Sequence, residues 1–328
     1  MIVSKTPLRA SLFGGGTDFH HYFHNSKYGY GSVISTGIQM YVYIIVNKRF
    51  DDKIRLVYYG NELVDSVDEV KHNIIREALR ITGITSGIEI FYSADLPMTN
   101  LGLGLASSSA LAVGVLNALH AYKGEEVTSE QLAKEAIDIE INRLHQQIGI
   151  QDQYAVSFGG FNRYIFNSDD SVIVKEIELD EESRKKLFNN LMLFYTGNPR
   201  DSKKIFEEQE KKTTTHREIL DDMVLMTDEA INYLNNKKFD EIGRLLDKAW
   251  KIKKQFASGI TNDDINNMYS LAINNGALGG KILGAGGGGF LLLYVPLDKQ
   301  DKVKKVLKDY IQVDFLVEDN GSKIVYRD

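Results

Sequence analysis

Glycine is gathered rather than scattered in this chain, and that limits what the chain can build. Of its 28 glycines, Gly14, Gly15 and Gly16 form one run, Gly102 and Gly104 precede a serine triplet, and Gly279, Gly280, Gly284 and Gly286 to Gly289 form the densest group. A residue without Cβ lets backbone N–H groups come close to a ligand, so three separate runs exceed what turns alone require. The 328 residues suffice for one large domain or two ordinary ones. The absence of cysteine excludes disulfides, thiolate metal sites and a cysteine nucleophile, and fits a reducing cytoplasm. No apolar run approaches the roughly 18 residues of a membrane helix, and the first residues lack the basic-then-apolar pattern of a secretory leader. A membrane partner is therefore not expected. The net charge of −6 argues against nucleic acid as a partner, and leaves room for a local anion site.

Residues 38–46 and 54–59 are β-branched and aromatic and read as strands. A helical period over 70–82 stops at Gly83, and 87–93 alternates as a strand. Residues 106–122 are apolar nearly all round, which predicts a buried helix. Thr128 with Gln131 is a capping-box pattern opening a helix over 129–147. Short strands are expected over 154–166, around Gly159 and Gly160. Residues 201–256 are charged and helix-forming, with a break near Asn235 and Asn236. Thr261 with Asp264 predicts the cap of a helix running to about Asn275. A strand over 290–295, a helix near 299–311 and a final strand pair complete the pattern, which predicts two α/β units joined near 168–180.

The segment Leu101–Ala110 (LGLGLASSSA) lies between a predicted strand and the buried helix, so its serines fall on the first helical turn. Free N–H groups and the helix dipole make such a turn an anion site. Gly102 and Gly104 let the loop fold over a phosphate. Ser107, Ser108 and Ser109 offer hydroxyls to phosphate oxygens or to Mg²⁺. Better-known motifs fail. Isoleucine follows Gly280-Lys281, which breaks G-x-x-x-x-G-K-[ST]. Gly284, Gly286 and Gly289 match G-x-G-x-x-G, but between a helix and a strand, the reverse of a dinucleotide turn. No G-x-S-x-G surrounds the serines.

Glu140 and Asp152 flank a helix break at Gly149. One of such a pair can hold Mg²⁺ while the other accepts a hydroxyl proton, although two acids near a helix end are also an ordinary surface pattern. Between Pro7 and Asp18, Arg9 can offset developing negative charge and Asp18 can accept sugar hydroxyls. The plainer reading there is a strand, a glycine turn and a helix cap. His20, His21 and His24 lack an H-E-x-x-H pattern and read as structural. The lysines of 203–212 alternate with glutamates as a solvated helix face, and Trp250 reads as core.

Taken together, PLRASLFGGGTDF, LGLGLASSSALAVG and GGKILGAGGGGFLLL resemble, in order and spacing, the three motifs of the GHMP kinases, from residue 7 to residue 293. GIQDQYA and the segment Thr196-Gly197-Asn198-Pro199-Arg200 make the resemblance nearest to kinases acting on the anomeric hydroxyl of D-glycero-D-manno-heptose 7-phosphate. Those enzymes serve the route to nucleotide-activated heptose for bacterial surface glycans. The resemblance implies an α+β fold of two domains. The first, over 1–175, is like domain 2 of ribosomal protein S5, and the second, over 176–328, is ferredoxin-like. It implies ATP and Mg²⁺ as cofactors and a small-molecule sugar phosphate as acceptor, with a homodimer compatible.

The resemblance also implies residue roles. Gly102, Gly104, Ala106, Ser107, Ser108 and Ser109 would hold the ATP phosphates, and Ser108 with Glu140 would hold Mg²⁺. Asp152 would be the catalytic base, with Arg9 beside it. Gly15, Gly16, Thr17 and Asp18 would meet the sugar, and Gly286 and Gly287 would line the site. Arg200 and Lys281 are the candidates for a distal phosphate. Two departures stand out. Gly14-Gly15-Gly16 replaces the Gly-Glu-His of galactokinases, which weighs against galactose. Ala106 replaces a glycine before Ser107, a change that a negative φ would accommodate; residues 97–101 also lack the usual Pro-x-Gly. The rival readings are a fucose or galactose kinase and a non-catalytic ligand sensor on the same fold.

Overall fold

Two long antiparallel strands, β1 (Ile2–Phe13) and β2 (Tyr30–Lys48), organise the computed structural model, which describes residues 1–96, 103–197, 205, 208 and 217–328. The first half of β2 pairs with β6 (Phe161–Asn167), and its second half with β5 (Ile88–Ala94). Beyond β5 lie β3 (Ile54–Val57) and β4 (Asn61–Val64), with β3 parallel to β5. β7 (Val172–Glu176) flanks β6. The strand β12 (Lys323–Arg327) returns from the end of the chain to pair with β1. A second, antiparallel sheet has the order β11 (Ile311–Val313), β8 (Leu191–Tyr195), β10 (Phe290–Tyr294), β9 (Gly279–Ile282). The mixed α+β class is thus the one expected.

The helices are α1 (His20–Phe23), α2 (Asn73–Thr82), α3 (Ser107–Lys123), α4 (Ser129–Ile137), α5 (Gln151–Phe158), α6 (Glu181–Phe188), α7 (Arg217–Asn235), α8 (Phe239–Phe256), α9 (Asp263–Asn274) and α10 (Gln300–Val306). α3 is buried from Ser109 to Ala121, as its all-round apolar pattern predicts. It packs so closely on β1 that a Cβ on Gly114 would stand 2.9 Å from Thr6 Oγ1. No helix among the described residues is long and apolar enough to cross a membrane.

Four expectations change. Residues 154–158 are helical rather than extended, because the run Tyr154-Ala155-Val156-Ser157 is buried all round and periodicity cannot separate that from a buried strand. The helix expected over 129–147 ends at Ile137 and continues as a π-turn, Asp138–Arg143. The cap of α9 is Asn262, whose Oδ1 accepts from Ile265 N at 2.9 Å, rather than Thr261. The last two strands do not pair with each other but join different sheets.

Candidate active site

The first turn of α5 assembles the site. Successive helical residues point about 100° apart, so three in a row fan out in three directions. Gln151 donates through Nε2 to Asp18 Oδ1 at 2.9 Å and through its backbone N to Asp18 Oδ2 at 3.2 Å. Asp152 accepts a two-pronged contact from Arg9, with Nε to Oδ1 and Nη2 to Oδ2 both at 2.8 Å. Gln153 donates to Glu140 Oε2 at 2.6 Å. The third nitrogen of Arg9, Nη1, donates to the Gly104 carbonyl at 2.7 Å. Arg9 is buried and so ties Asp152 to the glycine-serine loop.

That loop is held by backbone against backbone. A Cβ on Gly104 would lie 2.4 Å from the Leu283 carbonyl oxygen, one on Gly284 would lie 2.5 Å from Gly104 Cα, and one on Gly289 would lie 2.4 Å from the Leu103 carbonyl oxygen. The last glycine run therefore braces the middle one. Gly286 and Gly287 face Ile260 instead of the cavity; a Cβ on Gly286 would meet Ile260 Cγ2 at 2.7 Å, and Gly287 N donates to the Ile260 carbonyl. Ala106 has a left-handed backbone, with φ of +63°, instead of the negative φ that would relax it. That conformation costs an L-residue about 1–2 kcal/mol. Ser107 is half-buried and Ser108 exposed at the start of α3. Gly102 and Arg200 lie outside the described residues.

Glu140 sits on the π-turn, a feature that occurs often at functional sites. It is fully buried, and its Oε2 also accepts from Ser109 Oγ at 2.7 Å. Glu140 Oε1 and Gln153 Oε1 are buried without a hydrogen-bond partner. Burial raises the Glu140 pKa, while bonds from Ser109, Ser108 and Gln153 pull it down. Orphaned oxygens beside hydroxyls are what a hard divalent cation takes as ligands.

Arg9, Asp18, Gln151 and Asp152 open on one cavity, together with Gly15 and Gly16. Thr17 does not line it. Its hydroxyl accepts from Ser32 N at 2.9 Å and lies 2.8 Å from the Gly14 carbonyl, which fixes the turn. Burial, and then the Asp152 charge, raise the pKa of Asp18, against the amides of Gln151 and Gly16. Ser11 Oγ and Gln151 Oε1 are buried without partners, and both residues line the cavity. Lys281 lines it too and donates to the Leu12 carbonyl at 3.0 Å; burial, with the Arg9 charge adding to it, brings its ammonium down to about 7.

Three contributors escaped the sequence reading. Gln151 and Gln153 stood beside Asp152, but nothing in the segment says which way each points. Lys253 also lines the cavity, and the signal for it was present: it occupies a core position in the apolar period of α8. His20 and His24 meet Asp170 at the surface, with ligand atoms within 4.8 Å of one another, and none of the three lines the cavity.

A glycine-braced loop at a buried helix, a buried acid among orphaned oxygens and an arginine-bound aspartate are groups that suit phosphoryl transfer. Comparison with known proteins gives the family. The chain matches the GHMP kinases N terminal domain over residues 69–160 and the GHMP kinases C terminal domain over 230–312. It is 32% identical to the D-glycero-alpha-D-manno-heptose 7-phosphate kinase of Campylobacter jejuni, over 98% of each chain. A heptose 1-phosphate kinase structure from Bacteroides thetaiotaomicron superposes with a TM-score of 0.81 at 23% identity, covering 100% of this chain and 99% of that one. A Streptococcus pneumoniae phosphomevalonate kinase, in complex with phosphomevalonate and AMPPNP, superposes at 0.77 with 14% identity, covering 99% and 100%. The chain belongs to the GHMP kinases, whose members use ATP. Within that family it is a sugar kinase, a phosphotransferase with an alcohol acceptor, close to the heptose phosphate kinases.

Proposed function

We propose that this kinase transfers the γ-phosphoryl group of ATP to the anomeric hydroxyl of a sugar phosphate, D-glycero-D-manno-heptose 7-phosphate, giving the 1,7-bisphosphate. The observation that carries the reading is the Arg9 contact set, which joins Asp152 to the Gly104 carbonyl and so sets the base beside the phosphate loop. Asp18, the Ser11 hydroxyl and the Gln151 amide oxygen present acceptors to sugar hydroxyls. Asp152 takes the proton as the anomeric oxygen attacks phosphorus. Arg9 holds its carboxylate in position, and ADP leaves as the loose transition state, which asks more for positioning than for basicity, collapses to product. Glu140, Ser109 and Ser108 are the residues that would hold Mg²⁺, which when bound neutralises charge on the phosphates. A domain division near residue 175 is consistent with this reading, since residues from both sides of it, Arg9 to Asp152 and Ile219 to Gly284, line the cavity.

The test is a panel of free and phosphorylated heptoses, fucose and galactose with ATP, the product read by phosphorus NMR. A C1-phosphorylated heptose bisphosphate as the best product is the expected result. Turnover of galactose or fucose above every heptose would overturn the substrate assignment, and ATP binding with no turnover on any sugar would favour a sensor.

A further inference from the structure

One set of metal-type ligands among the described residues has no role in the chemistry just described. His20 opens α1 and His24 caps its end four positions on, so both rings lie on one face. Across from them is Asp170, in the turn between β6 and β7, 146 residues from His24. Asp170 Oδ1 lies 2.7 Å from His24 Nε2 and 3.6 Å from His20 Nδ1. The ligand atoms of all three residues fall within 4.8 Å of one another. Packing fixes both sides of this group. The buried ring of Phe23 lies beside His20 at 5.0 Å and His24 at 4.7 Å, centroid to centroid. The β6–β7 turn closes without the Asp170 carboxylate, because Asp170 N donates to the Asn167 carbonyl and Ser171 donates through N and Oγ to Asp169 Oδ1.

An ion pair accounts for His24 only. At 3.6 Å, His20 Nδ1 is too far from Asp170 Oδ1 for a hydrogen bond. That separation suits a shared cation instead: ligand atoms about 2.0–2.2 Å from a zinc ion, at tetrahedral angles, stand roughly 3.3–3.6 Å apart. The His24 contact would open by about 0.6–0.9 Å to match, a small rotation for exposed side chains. Two imidazoles with one carboxylate suit zinc and its transition-metal neighbours, whereas Mg²⁺ takes oxygen ligands. Burial lowers the His20 pKa, with the Asp170 charge opposing it, which leaves that ring unprotonated and able to ligate at neutral pH. α1 begins two residues after Asp18, and Asp18 and Phe19 line the cavity. A cation held from both segments would tie that turn to the β6–β7 hairpin, and through β6 to β2.

We propose that His20, His24 and Asp170 form a surface site for a divalent transition metal of the zinc type, with a fourth position open to water, that fastens the Asp18 turn to the β6–β7 hairpin. The full chain, untagged and stripped with a chelator, is titrated with Zn²⁺ by calorimetry. Excess Mg²⁺ is present throughout, to fill oxygen sites and leave imidazoles alone. One zinc ion per chain is the expected result, and Co²⁺ in its place should give the visible absorption of a nitrogen- and oxygen-ligated site. His24→Ala and Asp170→Asn should each weaken zinc binding by more than about 10-fold. Asparagine tolerates the left-handed backbone at 170, where φ is +65°, so that variant keeps the turn. Zinc should also raise the Tm of wild type, and the rise should disappear in both variants. Zinc bound as tightly by the variants as by wild type would put the ion elsewhere and overturn the site. Failure of wild type to bind zinc would overturn it equally and leave Asp170 and His24 an ion pair only. If His24→Ala does not fold, the Co²⁺ spectrum of Asp170→Asn decides: a spectrum identical to wild type overturns the site.

Discussion

Gly15 in the first glycine run and Gly284 and Gly289 in the last look alike in sequence and do opposite things. At Gly15 an added Cβ would meet nothing closer than 3.8 Å, so this glycine leaves open space on the cavity. At Gly284 and Gly289 an added Cβ would strike backbone at 2.5 and 2.4 Å, so these glycines exist to let two loops touch. Gly15 gives room to a ligand, whereas its neighbour Gly14 lets the turn close on the Ser32 carbonyl, where a Cβ would stand 1.8 Å away. Gly284 and Gly289 give stiffness to the loop that would carry the phosphates. Glycine content marks close approach, and only the packing says whether the approaching body is a ligand or the chain itself.

Substitutions can break this contrast, and the largest effect is expected at Asp152, which Arg9 joins to the braced loop. Asp152→Asn should cut kcat by about 10²–10⁴-fold while ATP affinity, read by calorimetry, stays near wild type. A parallel loss of ATP affinity would mean that the acceptor side and the braced loop are not separable.

Lys281 reports how dry the cavity is beside the last glycine run. Its folded pKa of about 7 lies below the ordinary 10.5. Between those values the unfolded chain holds a proton that the folded chain lacks, so stability rises with pH across that window. Lys281→Met should therefore be more stable than wild type near pH 6, by up to a few kcal/mol, with the gap closing as pH rises above 7. A pH-independent gap in paired thermal melts would refute this.

Gly284→Ala forces a side chain into backbone at a φ of +68°. It should cost about 1–2 kcal/mol from conformation alone and raise the KM for ATP before that for the acceptor. Ala106→Gly should act the other way and stabilise the protein by about 0.5–1 kcal/mol, the relief of left-handed strain less the entropy of glycine. Gly15→Ala should be the mildest, with stability within about 0.5 kcal/mol of wild type and a rise only in the acceptor KM. If Gly15→Ala destabilised as much as Gly284→Ala, the contrast between the two positions would be gone.

The sequence reached far where local chemistry decides. α3 was legible because an apolar surface all round a helix can only be buried. The cap at Thr128 was legible because its hydroxyl meets Gln131 N, at 3.1 Å. The three motifs were legible because glycine and serine runs have few uses other than close backbone approach and anion binding. What sequence could not decide was direction. Glu140 was expected beside Ser108, and the structure adds Ser109, whose hydroxyl donates to its carboxylate, because one residue along α3 turns a side chain by about 100°. The same turn sends Gln151, Asp152 and Gln153 to three different carboxylate partners or pairs. Lys253 became a cavity residue only when α8 packed beside α7, and β12 chose its sheet only when β1 offered a free edge. Residue type and spacing set which groups a segment can contribute, but helix phase and packing set where they point, and those depend on contacts hundreds of residues apart.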